Sequence, residues 1–249
     1  MKKLMFAIAS AAAMVCVADG IESNIVGYDT QAIASGLKCA ALQFTTIGGE
    51  QASLANISTK GLTPGWYDTM EDEAPAILIY NGVGYDFYYY IQDGGESYEE
   101  TGWCDPDGLL AGDVGIPSTG FWLQIPEGMC DTGSLTEAGE VSDAASTTID
   151  IAKGLTLAGN PYPMALDLSK VVTEGIEPGW YDTMEDEAPC IMIYNGVGYD
   201  FYYYIQDGGE SYEETGWCDP DGLLAEEVAT VGAGFWLSSQ TAGTLTFMR

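Results

Sequence analysis

Short apolar runs separated by Gly- and Asn-rich segments occupy the middle of the chain. The run AILIY, Ala76 to Tyr80, is rich in β-branched residues, and the run YDFYYYI, Tyr85 to Ile91, follows after the segment NGVG. Asn-Gly between two such runs predicts a β-hairpin because both residues tolerate positive φ. Side chains alternate between the two faces of a strand. One face of the second strand therefore carries Tyr85, Phe87, Tyr89 and Ile91, and the other carries Asp86, Tyr88 and Tyr90.

The same signals predict further strands and very little helix. We expect strands at Asn24 to Ala32, Leu37 to Phe44, Gly120 to Ile125 and Gly133 to Thr136. One helical turn or two is expected within Ala165 to Val172. Six or seven short strands between Gly- and Pro-rich turns predict an all-β fold, an antiparallel β-sandwich or barrel.

The chain contains an internal repeat with a spacing of 114 residues. The block from Pro64 to Ala111 recurs from Pro178 to Ala225 with two changes, Ala76 to Cys190 and Leu78 to Met192. The repeat continues into the two GFWL segments, whose Trp122 and Trp236 we expect in the core. The repeat therefore predicts two tandem modules, each of a common domain size. We assign 21–139 to the first module and 140–249 to the second, with a small, polar linker at Glu137 to Ser146.

The first twenty residues have the pattern of a secretory signal. Lys2 and Lys3 precede an apolar run from Leu4 to Ala18, and small residues lead to cleavage after Gly20. The apolar run is shorter than the roughly 20 residues that span a membrane, so we expect a secreted, bacterial-type protein without membrane insertion after cleavage.

Charge and composition then narrow the function. The chain has 38 acidic and 7 basic residues, a net charge of −31, and no histidine. Such a charge repels nucleic acid and anionic lipid, so neither is an expected partner. Without histidine, the Ser-His-Asp and Cys-His nucleophile systems are excluded, and carboxylate-pair chemistry is the main enzymatic alternative.

The segment GLTLAGNPYP, Gly154 to Pro163, followed by MALDLSKV, resembles the G-x-N-L-x-G-N-P-Y-P element of secreted bacterial β-modules. The strand order after it is similar to that of tandem extracellular proteins of Verrucomicrobia- and Lentisphaerae-type bacteria. The first copy departs from this pattern, because Ala41 to Thr46 lacks Asn-Pro-Tyr-Pro. The resemblance implies secretion and an all-β fold, and it transfers no functional residue.

Calcium is the cofactor that the sequence suggests. Each copy contains a DPDG segment that resembles the start of an EF-hand loop, but the twelfth position is Ile116 or Thr230, which cannot supply the bidentate carboxylate. An irregular calcium site remains as the alternative to no cofactor. Its candidate ligands are Asp105, Asp107, Asp219 and Asp221.

Carbohydrate is one candidate ligand. Sugars stack on aromatic rings while neighbouring carboxylates accept their hydroxyl groups. The candidate binding residues of the two copies are Asp86, Tyr88, Tyr90 and Trp103, and Asp200, Tyr202, Tyr204 and Trp217. The structural alternative is that these rings fill the core, because aromatic side chains suit pleated surfaces.

Five cysteines remain after signal cleavage, an odd number without C-x-x-C spacing, which argues against a disulfide framework. Cys39 and Cys190 are expected as small buried apolar residues. The resulting prediction is a non-catalytic, acidic surface or matrix protein acting through its Tyr- and Asp-rich faces. Its expected partners are a glycan or other copies of itself. The alternatives are a two-site carbohydrate-binding protein and a carboxylate-based glycoside hydrolase.

Overall fold

The computed structural model describes residues 26–249, and the predicted signal peptide lies outside them. Of residues 26–249, 52% are in β structure and 9% in helices, and every pairing between named strands is antiparallel. The predicted all-β class is therefore confirmed.

The first half contains ten strands among its described residues, from residue 26 onwards. They are β1 (Val26–Ile33), β2 (Gly36–Ala41), β3 (Ala52–Ser53), β4 (Ile57–Lys60), β5 (Ala76–Tyr80), β6 (Tyr85–Gly94), β7 (Glu100–Cys104), β8 (Asp113–Gly115), β9 (Gly120–Ile125) and β10 (Gly133–Glu140). The second half also contains ten, namely β11 (Ser146–Ile151), β12 (Gly154–Gly159), β13 (Leu166–Asp167), β14 (Val171–Glu174), β15 (Cys190–Tyr194), β16 (Tyr199–Gly208), β17 (Glu214–Cys218), β18 (Glu227–Ala229), β19 (Gly234–Ser239) and β20 (Gly243–Met248).

Helices are short. In the described part of the chain the α-helices are α1 (Met70–Glu73) and α2 (Met184–Glu187), and the 3-10 helices are Leu54–Asn56, Tyr67–Thr69, Leu168–Lys170 and Tyr181–Thr183. The turn Leu168–Lys170 lies within the segment predicted to hold one helical turn or two. The predicted linker is partly strand, since β10 continues to Glu140 by pairing with β1 along its full length.

The two halves have the same topology. Each has a five-stranded sheet, ordered β2-β9-β5-β6-β7 and β12-β19-β15-β16-β17. Each also has a three-stranded sheet, β1-β10-β4 and β11-β20-β14, and a two-stranded ribbon, β3-β8 and β13-β18. The long repeat in the sequence therefore corresponds to a repeat of strand order.

The predicted hairpin joins β5 and β6, with Tyr80 opposite Tyr85. Gly82 has a φ of 96°, which glycine adopts without the steric penalty of a Cβ atom. The Asn81 side chain accepts hydrogen bonds from the amides of Val83 at 3.2 Å and Gly84 at 2.9 Å. Asn195 makes the same contacts in the second copy.

One face of each five-stranded sheet packs against the three-stranded sheet. In the first half Ile77 and Leu123 from the larger sheet meet Ile57 and Leu135 from the smaller one in a single buried cluster. The second half forms the matching cluster with Ile191, Leu237, Leu245 and Phe247. Burial of such side chains stabilises the fold by about 1.5–3 kcal/mol each.

The opposite faces of the two large sheets meet across the repeat. Trp122 and Trp236 are 8% exposed and share a cluster with Cys39 and Leu157, so they are buried between the halves rather than within either core. The predicted core position of these tryptophans is thus confirmed, and the core that they occupy is the contact between the halves, where strands β9 and β19 lie.

Two glycines permit the close approach of the halves. The amide of Ala41 donates to the carbonyl of Gly232 at 2.9 Å, and the amide of Gly159 donates to that of Ser118 at 2.9 Å. A Cβ atom at Gly120 would lie 2.7 Å from the nitrogen of Ala158, and one at the equivalent Gly234 would overlap a backbone carbonyl. The glycine before Phe-Trp-Leu is therefore required by the contact between the halves.

The loops after β2 and β12 are held in different ways. In the second half Asn160 accepts from the amide of Tyr162 at 3.0 Å and donates to the carbonyls of Met164 and Ala165. Tyr162 is 1% exposed, and its hydroxyl donates to the carbonyl of Ala144 at 2.9 Å. This explains the Asn-Pro-Tyr-Pro element structurally, as a loop that satisfies its own buried polar groups.

The first half lacks that asparagine and uses a buried carboxylate instead. Glu137, in β10, is 5% exposed and accepts from the amides of Gln43 at 3.0 Å and Phe44 at 3.2 Å. Burial raises the pKa of Glu137 to about 7, although these two amides lower it. The equivalent position in β20 is Phe247, which needs no hydrogen bonds.

All five cysteines of the described residues are buried and unpaired. Cys39 and Cys190 are each 8% exposed and pack among apolar side chains, as predicted. Burial raises the pKa of the Cys39 thiol to about 12 and that of Cys190 to about 11, so both remain protonated thiols at neutral pH.

We predict that Glu137 makes stability depend on pH. Because the folded state holds this proton more tightly than the unfolded state, the free energy of unfolding decreases as pH rises from 4.5 towards 7. The contribution is about 3 kcal/mol and is complete below pH 4.5. Urea unfolding at several pH values should give a flatter profile for Glu137→Gln than for the wild type. Asp131→Asn, which removes one exposed carboxylate, is the charge control, and equal profiles for Glu137→Gln and the wild type would contradict the prediction.

Candidate functional site

The structure places the predicted ligand residues on the inner side of the large sheet. Tyr90 lies opposite Trp103, with ring centroids 5.2 Å apart, and both belong to the main core or pack against it. Trp103 is only 3% exposed. Tyr88 is half-buried on the same core. Tyr202, Tyr204 and Trp217 occupy the equivalent positions in the second half.

Two of these rings in each half line an open cavity. The cavity beside Tyr90 and Trp103 has a volume of about 390 Å³, and the one beside Tyr204 and Trp217 has about 340 Å³. In the second, the Trp217 indole N–H donates to Thr173 Oγ1 at 3.1 Å. In the first, Trp103 Nε1 and the equivalent Thr59 Oγ1 are buried without a hydrogen-bond partner among the described residues.

Asp86 has a different role from these rings, because its carboxylate holds the hairpin turn. It is exposed and accepts a hydrogen bond from Asn81 Nδ2 at 2.9 Å, which closes the hairpin. Asp200 accepts from Asn195 in the same way at 3.0 Å. Burial raises the pKa of Tyr88, and the carboxylates of Asp86 and Asp105 add to this effect.

The candidate calcium ligands lie in tight loops. Asp105 Oδ1 accepts from the amides of Asp107 at 3.0 Å and Leu109 at 2.9 Å, and Asp219 accepts from Asp221 and Leu223 at the same distances. One carboxylate oxygen of each is therefore engaged by its own loop. Within residues 26–249 no group of three or more Asp, Glu, His or Cys side chains is arranged to hold a metal ion. Calcium binding at these loops stays a prediction.

Aromatic rings are concentrated on the outer face of the large sheet, opposite the predicted ligand residues. Tyr85, Phe87 and Tyr89 alternate along β6, and Phe87 stacks on Tyr89 with a centroid distance of 6.1 Å and an angle of 14°. Tyr80 meets Tyr85 edge-on at 5.6 Å and reaches Trp236 of the other half at 5.0 Å.

The second half repeats this row of rings. Phe201 stacks on Tyr203 at 6.3 Å, and Tyr194 meets Tyr199 at 5.6 Å and Trp122 at 5.1 Å. Each row thus ends on the tryptophan of the opposite half. We call these ten rings the aromatic platform. Its members are Tyr80, Tyr85, Phe87, Tyr89, Trp122, Tyr194, Tyr199, Phe201, Tyr203 and Trp236.

The middle of the aromatic platform is open to solvent. Tyr85, Phe87, Tyr199 and Phe201 are each between 36% and 38% exposed, whereas Tyr89 and Tyr203 are 8% exposed. The inner ends of the two rows lie close together: burial raises the pKa of Tyr199, and both Cys39 and Tyr85 add to the increase.

Carboxylates lie near the outer ends of the aromatic platform. Burial raises the pKa of Tyr89, and the nearby Glu71 raises it further. For Tyr203 burial is again the main cause, followed by Cys190 and Glu185. Glu71 and Glu185 belong to the short helices α1 and α2, which cover these ends of the sheet.

The alternation in YDFYYYI separated the two faces of β6 but did not indicate which face is covered. The inner face is buried by the three-stranded sheet, a contact between strands distant in sequence. Val83 and Val197, 96% and 97% exposed at the hairpin tips, provide apolar positions on the same elements that lie outside the aromatic platform.

Comparison of the chain with protein-family models, with curated proteins and with solved structures finds no match. The resemblance to tandem secreted β-modules therefore stays an expectation. Among residues 26–249, no helix combines the length and apolar character needed to cross a membrane.

The loop hydrogen bonds predict different effects of two substitutions at Asp105. Asp105→Ala removes the acceptor of two amides and should lower the free energy of unfolding by about 1 kcal/mol. Asp105→Asn keeps an acceptor oxygen and should have a smaller effect in urea unfolding. The same pair at Asp219 is an internal replicate.

Melting each variant with and without millimolar calcium separates the loop from a metal site. A ligand that binds only the folded state raises the melting temperature. One possible result is that calcium raises the melting temperature of the wild type but not that of a variant that combines Asp105→Asn with Asp219→Asn. That result would mean that these carboxylates bind calcium in addition to holding the loop.

Proposed function

We propose that this chain is an exported, non-catalytic surface or matrix protein that binds a neutral polysaccharide across the aromatic platform. The observation that carries the proposal is the set of four half-open rings, Tyr85, Phe87, Tyr199 and Phe201, in one continuous aromatic surface that spans both halves. We further propose that the halves are two tandem β-sandwich modules, 21–139 and 140–249, secreted after removal of residues 1–20.

Aromatic rings and saccharides are complementary in a simple way. One face of a pyranose presents C–H groups, which pack on the negative face of an aromatic ring. Rings held by their neighbours lose little conformational entropy on binding, because the stacks Phe87–Tyr89 and Phe201–Tyr203 already fix them. The phenol of Tyr85 and the carboxylates of Glu71 and Glu185 would form hydrogen bonds with the sugar hydroxyl groups.

The net charge favours a neutral ligand. At −31, the chain repels polyanions, and it also repels a second copy of itself. An uncharged polymer is free of that penalty. A repeated polymer can engage the rings of both halves at once, so each additional contact adds avidity.

Removal of single platform rings should weaken polysaccharide binding. We expect Phe87→Ala or Phe201→Ala to lower affinity by about twofold to tenfold, since an aromatic stack contributes about 0.5–1.5 kcal/mol. The double variant should lose binding almost entirely. Affinity electrophoresis through gels that contain neutral β-glucan, xylan or mannan measures the effect.

The matched control is Val83→Ala with Val197→Ala, which removes exposed apolar groups from the same hairpins outside the platform and should leave retention unchanged. Three results would overturn the proposal: retention by none of the neutral polymers, reducing-end release from the polymer, or concentration-dependent dimerisation that the Phe87→Ala variant abolishes. The last would identify the aromatic platform as a contact between copies.

A further inference from the structure

A cavity beside an exposed tryptophan of the second half lies away from the aromatic platform. A cavity of about 430 Å³ opens beside Trp180, which is 57% exposed. Its walls include Glu177, Glu187, Gln240 and Thr241. This volume falls within the range of about 300–1,000 Å³ that is common for small-molecule pockets.

A shorter loop distinguishes this region from its copy. Three residues, 240–242, connect β19 to β20, whereas seven, 126–132, connect β9 to β10. In the first half the longer connection packs beside the equivalent of Glu177, where the amide of Thr63 donates to the carbonyl of Met129 at 2.8 Å. In the second half Thr241 Oγ1 instead donates to the carbonyl of Gly175 at 3.2 Å, which holds the short loop at the cavity wall.

The residues that differ between the halves also change the chemistry. Glu177 and Gln240 stand where the first half has Thr63 and Pro126, so the second half gains a carboxylate and an amide next to the same tryptophan. Trp66, the copy of Trp180, is equally exposed at 57%. The first half is therefore a natural reference in which the indole is kept and these polar groups are absent.

The cavity favours a cation. Its lining contains two carboxylates and no basic side chain, and within residues 26–249 neither Glu177 nor Glu187 has a Lys or Arg partner within 4.0 Å. Glu187 is held in place by a hydrogen bond from Thr183 Oγ1 at 3.2 Å. An exposed indole attracts cations through its negative face, and tryptophan is the most effective residue in this role.

We infer that this cavity is a binding site for a small organic ligand that carries a primary ammonium group on a compact body of monosaccharide size. The ammonium group donates to the carboxylates of Glu177 and Glu187 and to the side-chain oxygen of Gln240, and the body of the ligand packs on Trp180. A primary ammonium fits better than a quaternary one, because the lining offers several acceptors that only N–H groups can satisfy. The site is independent of the aromatic platform and does not require that polysaccharide binding be correct.

Calorimetric titration of the full-length mature protein with D-glucosamine at pH about 6, where the amine is protonated, tests the inference. We expect one site per chain and an affinity that falls with added salt, because the attraction is electrostatic. N-acetylglucosamine, which has the same ring but no charge, should bind at least about tenfold more weakly. Choline, a quaternary ammonium compound, should bind more weakly than glucosamine.

Three variants locate the site. Trp180→Ala should abolish glucosamine binding, and Glu177→Thr, which installs the residue of the first half, should weaken it about fivefold to tenfold. Trp66→Ala is the matched control and should leave it unchanged, as should Phe87→Ala. A melting curve checks that each variant is folded.

Equal affinity for glucosamine and N-acetylglucosamine would overturn the inference, because the cavity would then not recognise charge. Equal losses from Trp66→Ala and Trp180→Ala would mean non-specific stacking on exposed indoles and would also overturn it, as would the absence of saturable binding. The double variant Phe87→Ala with Phe201→Ala should still bind glucosamine. That result would show that this site is separate from the aromatic platform.

Discussion

Each five-stranded sheet is apolar on both faces, and the rest of the structure depends on how those two faces are covered. The inner face packs on the three-stranded sheet of its own half. The outer face is covered at one end by a short helix and at the other by the opposite half, where Trp122 and Trp236 share one buried cluster. The cover is incomplete between these ends, and the half-open rings of the aromatic platform occupy the gap. Large exposed apolar surfaces on a folded chain are a common sign of a binding surface, and here the exposed part joins both halves.

The duplication allows the two halves to be compared as natural variants of one another. Where the second half closes its loop with Asn160, the first uses the buried Glu137, and both arrangements satisfy backbone amides that would otherwise be buried unpaired. The buried carboxylate of Glu137 makes stability depend on pH, whereas Phe247 at the equivalent position of the second half is apolar. A four-residue difference between two connecting loops likewise distinguishes the surroundings of Trp180, beside which a cavity opens, from those of Trp66. Two halves of the same topology thus differ locally, through single positions such as Glu137 and Phe247 and through the lengths of their loops.

Much of the fold could be predicted from local pattern. The β5–β6 hairpin followed from AILIY, NGVG and YDFYYYI, and β9 begins and ends where the apolar run GFWLQI does. Strand β4 and the ribbon strands β3 and β8 were missed because they are short and depend on partners far away in sequence. The short strand β7 was also missed, because its segment ETGWC has no distinct alternation. For the candidate site, the aromatic residues were recognised, but the favoured face was the one with Asp86, Tyr88 and Tyr90. Tyr88 and Tyr90 pack on the core, and the more open rings lie on the opposite face of the same strand.

By itself, the sequence determined the all-β class, the twofold repeat, the hairpin turn, the strong negative charge and the buried character of Cys39 and Cys190. These properties follow from composition, from the two-residue period of strands and from local turn chemistry, all of which act over a few residues. Only the tertiary structure decided which face of β6 is covered, that Trp122 and Trp236 bind the halves together, and that a cavity opens beside Trp180. Those outcomes depend on contacts between elements that are distant in sequence, and the side-chain period of a strand is the same whichever face is buried.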